Sequence, residues 1–262
     1  MRTVFASLPF YDSLLKQDKV RENAVIPIHC PQTQLPPFLI AVGTATVATV
    51  TSIKLVACDG SKTDLTTGYF TSFPTVTTST ATAMGSYVQY NGTALSKKLP
   101  LGSYYVEILK SDASYYSDWI FISNMANPLL KFIKIVFSNT NNLGDLRYEN
   151  SFAQSVWLEA ILNNPTHEIV NVGEEKDGIF IAEKIVSKKI YSIITYVSRG
   201  LYECLMRLPQ HDTITITDEL GDTYTPNTGN IIVEPGEWNY YDVCKLKITF
   251  NDNENSSFVW TK

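Results

Sequence analysis

The sequence predicts an all-β protein: two β-sandwich-like domains, the second carrying one short helix, preceded by an extended N-terminal arm. Three observations carry this. Segments rich in Val, Ile, Thr and Tyr recur between residues 38 and 250, with turn residues between them. A clear helical period stands between Leu201 and Leu208. Pro27, Pro31, Pro36 and Pro37 crowd the stretch before the first β-rich segment.

Size and composition set the bounds. A chain of 262 residues can bury a substantial core, and its length suits two modest domains. With 44% hydrophobic and 18% charged residues it is too apolar for disorder. A net charge of −5, from 21 basic and 26 acidic side chains, gives no electrostatic footprint for DNA or RNA. The basic clusters, Lys97 with Lys98 and Lys184 with Lys188 and Lys189, read as solvated strand ends. No apolar run approaches the roughly 18 residues that span a bilayer. Residues Met1 to Phe10 have one basic residue and a broken apolar run, unlike a secretion signal. The expectation is a protein made and kept in a reducing compartment until assembly.

Residues 1–37 form the arm. Tyr11 to Lys19 has room for one or two helical turns, and the prolines after it forbid a regular helix or a central strand. Residues 38–125 form the first sandwich, of immunoglobulin or fibronectin type. Thr44 to Val56 suits a pleated, half-buried surface, and Asp59-Gly60 turns it. Thr66 to Thr82 is Thr-heavy with some alternation, and Asn91-Gly92 is a strong short-range turn signal. After Gly102, Tyr104, Val106 and Ile108 point one way while Ser103, Tyr105 and Glu107 point the other. Trp119 to Ile122 gives a last strand. Asn124 to Pro128, short and polar, is the expected joint.

The second domain spans 129–250. Leu130 to Phe137 is a strand and Asn139 to Gly144 a loop. Ser151 to Leu162 fits either period, and strand is the reading adopted. Glu168 to Val172, a turn at Asp177-Gly178 and Ile179 to Val186 make a hairpin; Ile190 to Val197 is dense in β-branched residues. Leu201, Cys204, Leu205 and Leu208 share one helix face, with Ser198 as N-cap and Pro209 as stop. Thr213 to Thr217, Ile231 to Glu234 and Val243 to Phe250 complete the strands. Residues 251–262 form a polar tail, apart from Phe258, Val259 and Trp260.

Few groups suggest chemistry. His211 beside Asp212 has the residue types of an oriented base, but neighbours in a strand face opposite ways, so turn geometry after a helix is expected. His29 beside Cys30 lacks a third, orienting group for a thiolate pair, and His167 reads as loop surface. Glu174-Glu175, Asp218-Glu219 with Asp222, and Asp252 with Glu254 have the carboxylates of a glycosidase, yet all fall at expected turns. Asn251 to Ser256 offers oxygen ligands for calcium without the glycine and final glutamate of an EF-hand loop. Cys30, Cys58, Cys204 and Cys244 are scattered with no C-x-x-C pair. Buried free thiols are expected of them, a disulfide framework being the other reading. There is no Gly-rich phosphate loop and no G-x-S-x-G elbow. The sequence therefore names no catalytic, cofactor-binding or metal-binding residue, and the expectation is not an enzyme. Tyr104-Tyr105, Tyr115-Tyr116 and Tyr240-Tyr241 should each turn one ring away from its own core, for protein contacts or sugar stacking, or, for half of them, into the second face of a sandwich.

The C-terminal block resembles a virion module of tailed phages that infect gut Bacteroidales, the crAss-like phages among them. The likeness rests on the order of an apolar strand, Asn142 to Tyr148, Phe152 to Leu162, Pro165 to Val172, Lys189 to Val197 and Tyr202 to Ile214. A phrase ahead of it matches at Pro100, Gly102, Tyr104, Tyr105, Tyr116, Ser117, Asp118 and Trp119. The resemblance spans about residues 95 to 250. It implies a structural tail component, a ring, hub or adaptor subunit located in the virion and assembled in the host cytoplasm. Its partners would be copies of itself and adjacent tail or portal proteins around the DNA channel, with no specific nucleic-acid binding and no membrane. A carbohydrate-binding module or adhesin using exposed aromatics is the alternative.

Overall fold

The computed structural model describes residues 7–12, 26–43, 49–74, 76–78, 86–111, 113–125, 131–139, 152–226, 228–239, 243–251 and 258–261. These residues are nearly all β, with one α-helix, Arg199–Leu205, and 3₁₀ turns at Leu208–Gln210 and Thr228–Asn230. The segment before residue 38 supplies β1 (Phe10–Asp12) and β2 (Ile28–Pro31). Then come β3 (Phe38–Gly43), β4 (Val50–Ala57), β5 (Lys62–Asp64), β6 (Val76–Thr78), β7 (Ser86–Tyr90), β8 (Gly102–Lys110), β9 (Ser114–Ser117) and β10 (Ile120–Ser123). The later half holds β11 (Phe132–Ser138), β12 (Gln154–Glu159), β13 (Leu162–Lys176), β14 (Ile179–Ser198), β15 (Thr213–Thr217) and β16 (Thr223–Tyr224). It closes with β17 (Ile231–Trp238), β18 (Val243–Asn251) and β19 (Phe258–Thr261).

Alternation explains the cores. In β11, Ile133, Ile135 and Phe137 are buried; in β18, Cys244, Leu246, Ile248 and Phe250 are buried while Lys245 and Lys247 face out. Each such side chain removed from water contributes about 1.5–3 kcal/mol. One core gathers Phe38, Ile40, Val88 and Tyr90 from a three-stranded sheet (β3-β7-β6) against Ile53, Leu55, Val106, Ile108, Ile120 and Ile122. The other packs Ile133, Ile135, Val156 and Leu158 against Ile193, Val197, Leu246 and Ile248, with the helix residues Leu201, Cys204 and Leu205 between. A single eleven-stranded sheet runs through both halves, in the order β1-β9-β8-β10-β2-β12-β11-β15-β16, with β4 and β5 off β8. A five-stranded sheet, β13-β14-β18-β17 with β19 on β14, covers the second core.

Several expectations change here. The proline-rich segment does contain a central strand: β2 lies between β10, in parallel, and β12. Pro27 precedes the strand and Pro31 is its last residue, so no interior amide is lost. Gly92 has a positive φ of 68°, but Asn91-Gly92 starts a loop between sheets and closes no hairpin. Thr66 lies in a turn, and among the described residues the Thr-rich stretch after it supplies the short β6 alone. The hairpin at Asp177-Gly178 is longer than expected. Both turn residues have positive φ, 55° and 76°, which matches the twist of a two-residue hairpin. Ser198 precedes the helix without a side-chain cap, and Pro209 sits inside the 3₁₀ turn after it. Part of the polar tail, β19, is a strand on Lys184–Ser187 of β14. Residues 13–25, 44–48, 79–85, 126–130, 140–151, 240–242 and 252–257, which carry several expectations, lie outside the described residues.

Candidate functional site

The place where the two halves meet is built from few residues. β2 pairs with β12 at one position only, His29 opposite Trp157. His29 is also level with Phe121 of β10, and Trp157 with Lys134 of β11, so a row of four side chains crosses the joint. The imidazole lies 5.8 Å from the Phe121 ring and 5.2 Å from Phe132. Trp157, a β12 residue, is buried in the first core, and the Lys134 ammonium sits 5.4 Å from its ring. His29 Nε2 is 3.6 Å from Glu159, too long for a hydrogen bond, and its buried Nδ1 has no partner among the described residues. Burial pushes the imidazole pKa below its usual value, and Glu159 offsets only part of this. A cleft of about 470 Å³ opens here, lined by His29, Glu159, Thr195, Tyr196 and Leu201 among others.

A second set of contacts braces the joint. The Ser7 amide donates to Oε1 of buried Gln154, and the Cys204 thiol lies 3.5 Å from the same oxygen. The Asp118 amide donates to Pro9 O at 3.1 Å, and the Asp118 carboxylate presses on Gly200 at the helix start. The motif matched in the sequence thus has a structural use. Tyr105, Tyr116 and Trp119 pack edge to face at 5.4–6.1 Å, and Ser117 Oγ accepts from Val106 N while donating to Asp118 O.

The outer side of the five-stranded sheet is open. Ile194 and Tyr196 of β14 are 41% and 59% exposed, and Ile232 of β17 is 56% exposed. Ile194 lies opposite Lys247, which pairs with Glu234 at 3.0 Å, and Tyr196 lies opposite Lys245. Ile161, 52% exposed, comes level with Ile194 one step beyond the Leu162–Ile193 pair.

The residues weighed from sequence do not converge. His211 is buried against Phe137, ring centroids 4.7 Å apart, and its Nδ1 lies 2.9 Å from Arg207 O. Burial lowers its pKa, and its role is to finish the turn after the helix. His167 lies in strand β13 opposite Lys189, not in a loop. Glu174 and Glu175 are also on β13, just short of its turn. Asp218 closes a tight turn: Oδ1 accepts from Leu220 N and Asp222 N, each at 2.9 Å, and Oδ2 from the Tyr224 hydroxyl. Glu219 accepts from Leu162 N at 3.1 Å. The cysteines are free; Cys30, Cys204 and Cys244 are buried, whereas Cys58 is exposed on the turn after β4. Burial holds Cys30 protonated and pushes the Cys204 thiol up to about 12. Among the described residues no group of three or more His, Cys, Asp or Glu could hold a metal ion, and no helix is long and apolar enough to cross a membrane. The outward tyrosines are a correction. Tyr105 and Tyr115 are buried and Tyr104 and Tyr116 half-buried: Tyr104 and Tyr115 pack on the first core, and Tyr105 packs against Tyr116 and Trp119. Among the described residues the open aromatic rings are Tyr196 and Trp238, which the adjacent-pair signal did not mark.

No protein-family model, curated protein or solved structure matches this chain.

Proposed function

We propose that this protein is a structural subunit of a phage virion tail, assembling with copies of itself, as a ring, and with neighbouring tail or portal-side proteins. The observation that supports this reading best is the open side of the five-stranded sheet, where Ile161, Ile194, Tyr196 and Ile232 stand exposed on a stiff support. Exposed apolar side chains grouped on one rigid face mark contact surfaces. The β13–β14 hairpin adds reach, since 20 residues of strand extend about 66 Å. Subunits that close a ring need two different faces each, and a stiff sheet keeps the angle between them constant. The resemblance at Pro100 to Trp119 and from Asn142 to Ile214 points the same way.

Sedimentation of the full chain, alone and with its neighbouring tail proteins, tests this. A closed homo-oligomer or a defined complex is the expected result. Ile194→Asp with Ile232→Asp should release monomers whose unfolding is unchanged. A wild-type chain that stays monomeric at every concentration and ignores those proteins would remove the reading.

A further inference from the structure

Behind the open sheet face, at the far end of β17, the chain has built a small aromatic notch of a different kind. Arg199, Tyr202 and Glu203 stand at i, i+3 and i+4 of the helix, on the side opposite the buried Leu201, Cys204 and Leu205. Facing them is Trp238, 41% exposed, its ring 4.8 Å from that of Tyr202 and inclined at 68°. These four residues line an open notch of about 330 Å³.

The position of Trp238 is imposed by the backbone. Between the pairs Pro235–Leu246 and Trp238–Cys244 the register shifts, so Gly236 and Glu237 oppose Lys245 alone. Such a bulge bends an edge strand and re-aims its next side chain. A Cβ at Gly236 would come 2.7 Å from the Lys245 carbonyl oxygen, so glycine is required. Just beyond, Asn239 N donates to Val243 O at 2.9 Å, and Val243 N donates to Asn239 Oδ1 at 3.0 Å. The indole is therefore fixed before any ligand arrives, with part of its surface open to solvent.

We propose that this notch binds one sugar residue of a neutral glycan, stacked on Trp238. The C–H face of a pyranose is apolar and weakly positive, the complement of an indole's negative face. Around the ring's rim, adjacent hydroxyls need both donors and acceptors. The Arg199 fork supplies donors and the Glu203 carboxylate supplies acceptors. Among the described residues the lining holds one cation, one anion, two aromatic rings and no aliphatic side chain. That composition favours a sugar over a protein partner, whose anchor would be ringed by apolar contacts as on the open sheet face. The volume, at the small end of ligand clefts, suits a single residue of a longer chain. This site goes beyond the assembly role and does not depend on it.

Calorimetric titration of the full chain with glucose-, mannose- and galactose-configured hexasaccharides tests the proposal. At least one should bind saturably. Trp238→Ala should weaken it by about tenfold or more, the scale of losing a stacked anchor, while Trp238→Phe keeps a ring and loses less. Arg199→Lys should weaken it several-fold by removing the fork but not the charge. Leu220→Ala, at an exposed site elsewhere, should bind as wild type. Binding by none of the three sugars, or equal binding by Trp238→Ala, overturns the proposal. So does a Trp238→Ala variant that loses self-association while wild type ignores the sugars, since the notch would then be a protein contact. Matching urea unfolding of Trp238→Phe and wild type shows that the fold is intact.

Discussion

The two halves of the molecule use the same alternation for different ends. In the first, β8 is covered on both sides. Val106 and Ile108 fill the core, yet Tyr105 and Glu107 opposite them are only 8% and 5% exposed, with Lys62 reaching 2.8 Å from Glu107. In the second, β14 buries Ile193 and Val197 completely and leaves Ile194 and Tyr196 open between them. One half is closed on itself and the other keeps an apolar side to spare. On the assembly role proposed above, the contact surface belongs to the second half and the first acts as its support.

Truncation should separate the halves most sharply. Leu246→Ala in the second core should cost about 2–5 kcal/mol, whereas Ile194→Ala on the reverse of the same sheet should stay within about 0.5 kcal/mol. Tyr105→Ala, on the outer side of β8, should cost on the order of 3 kcal/mol, like a core residue. Urea unfolding measures all three. If Ile194→Ala proved as costly as Leu246→Ala in the monomeric chain, that face would be covered by the chain itself, and the contrast between halves would vanish.

A smaller effect is expected where the halves touch. A Cβ at Gly200 would lie 2.7 Å from Asp118 Oδ2 and 3.3 Å from Pro9 Cγ. Asp118 is 1% exposed and short, so it has little space to swing away. Gly200→Ala should therefore destabilise the protein by about 1–3 kcal/mol, although alanine is the better helix former. Proteolysis should then cut the joint sooner than either core. A neutral or stabilising Gly200→Ala would mean that the helix start and the Asp118 segment move freely past each other.

What the sequence made legible follows from how local each signal is. The strands from Ile190 to Val197 and Val243 to Phe250, the face of Leu201, Cys204 and Leu205, and the Asp177-Gly178 turn rest on near neighbours, and they stand where the pattern puts them. The joint rests on distant ones. Nothing near Ile28 announces that it will run parallel to Ile120, and four residues that follow one proline and end in another carry no period. The same holds for Phe258–Thr261, which reads as a tail until β14 offers an edge. Pattern also gives no depth. Tyr105 and Tyr196 both alternate with core residues, and what distinguishes them is the packing of Tyr116 and Trp119 against Tyr105. For the notch, the local mark was Pro235-Gly236 inside a strand, a bulge signal that re-aims Trp238.

The smallest expected effect concerns pH, the buried His211 and the half-buried His29. His211 has a carbonyl partner for Nδ1, at 2.9 Å on Arg207; His29 has none among the described residues. Burial lowers both pKa values below the usual 6.5. The unfolded chain therefore takes up protons first as pH falls through about 6.5, and stability is lost from there downward until the folded-state values are reached. The charged groups near His29 are Glu159, which resists this loss, and Lys134, set beyond the Trp157 ring. His29→Gln should remove part of the slope of stability against pH between pH 7.5 and 5 and leave the part due to His211. Hydrogen exchange, corrected for its intrinsic rate, should show the wild-type loss at the Ile28–Cys30 and Trp157 amides before it reaches Ile248. If His29→Gln kept the full slope, the imidazole would have a partner holding it neutral or charged in both states. No histidine at the seam would then couple its stability to pH.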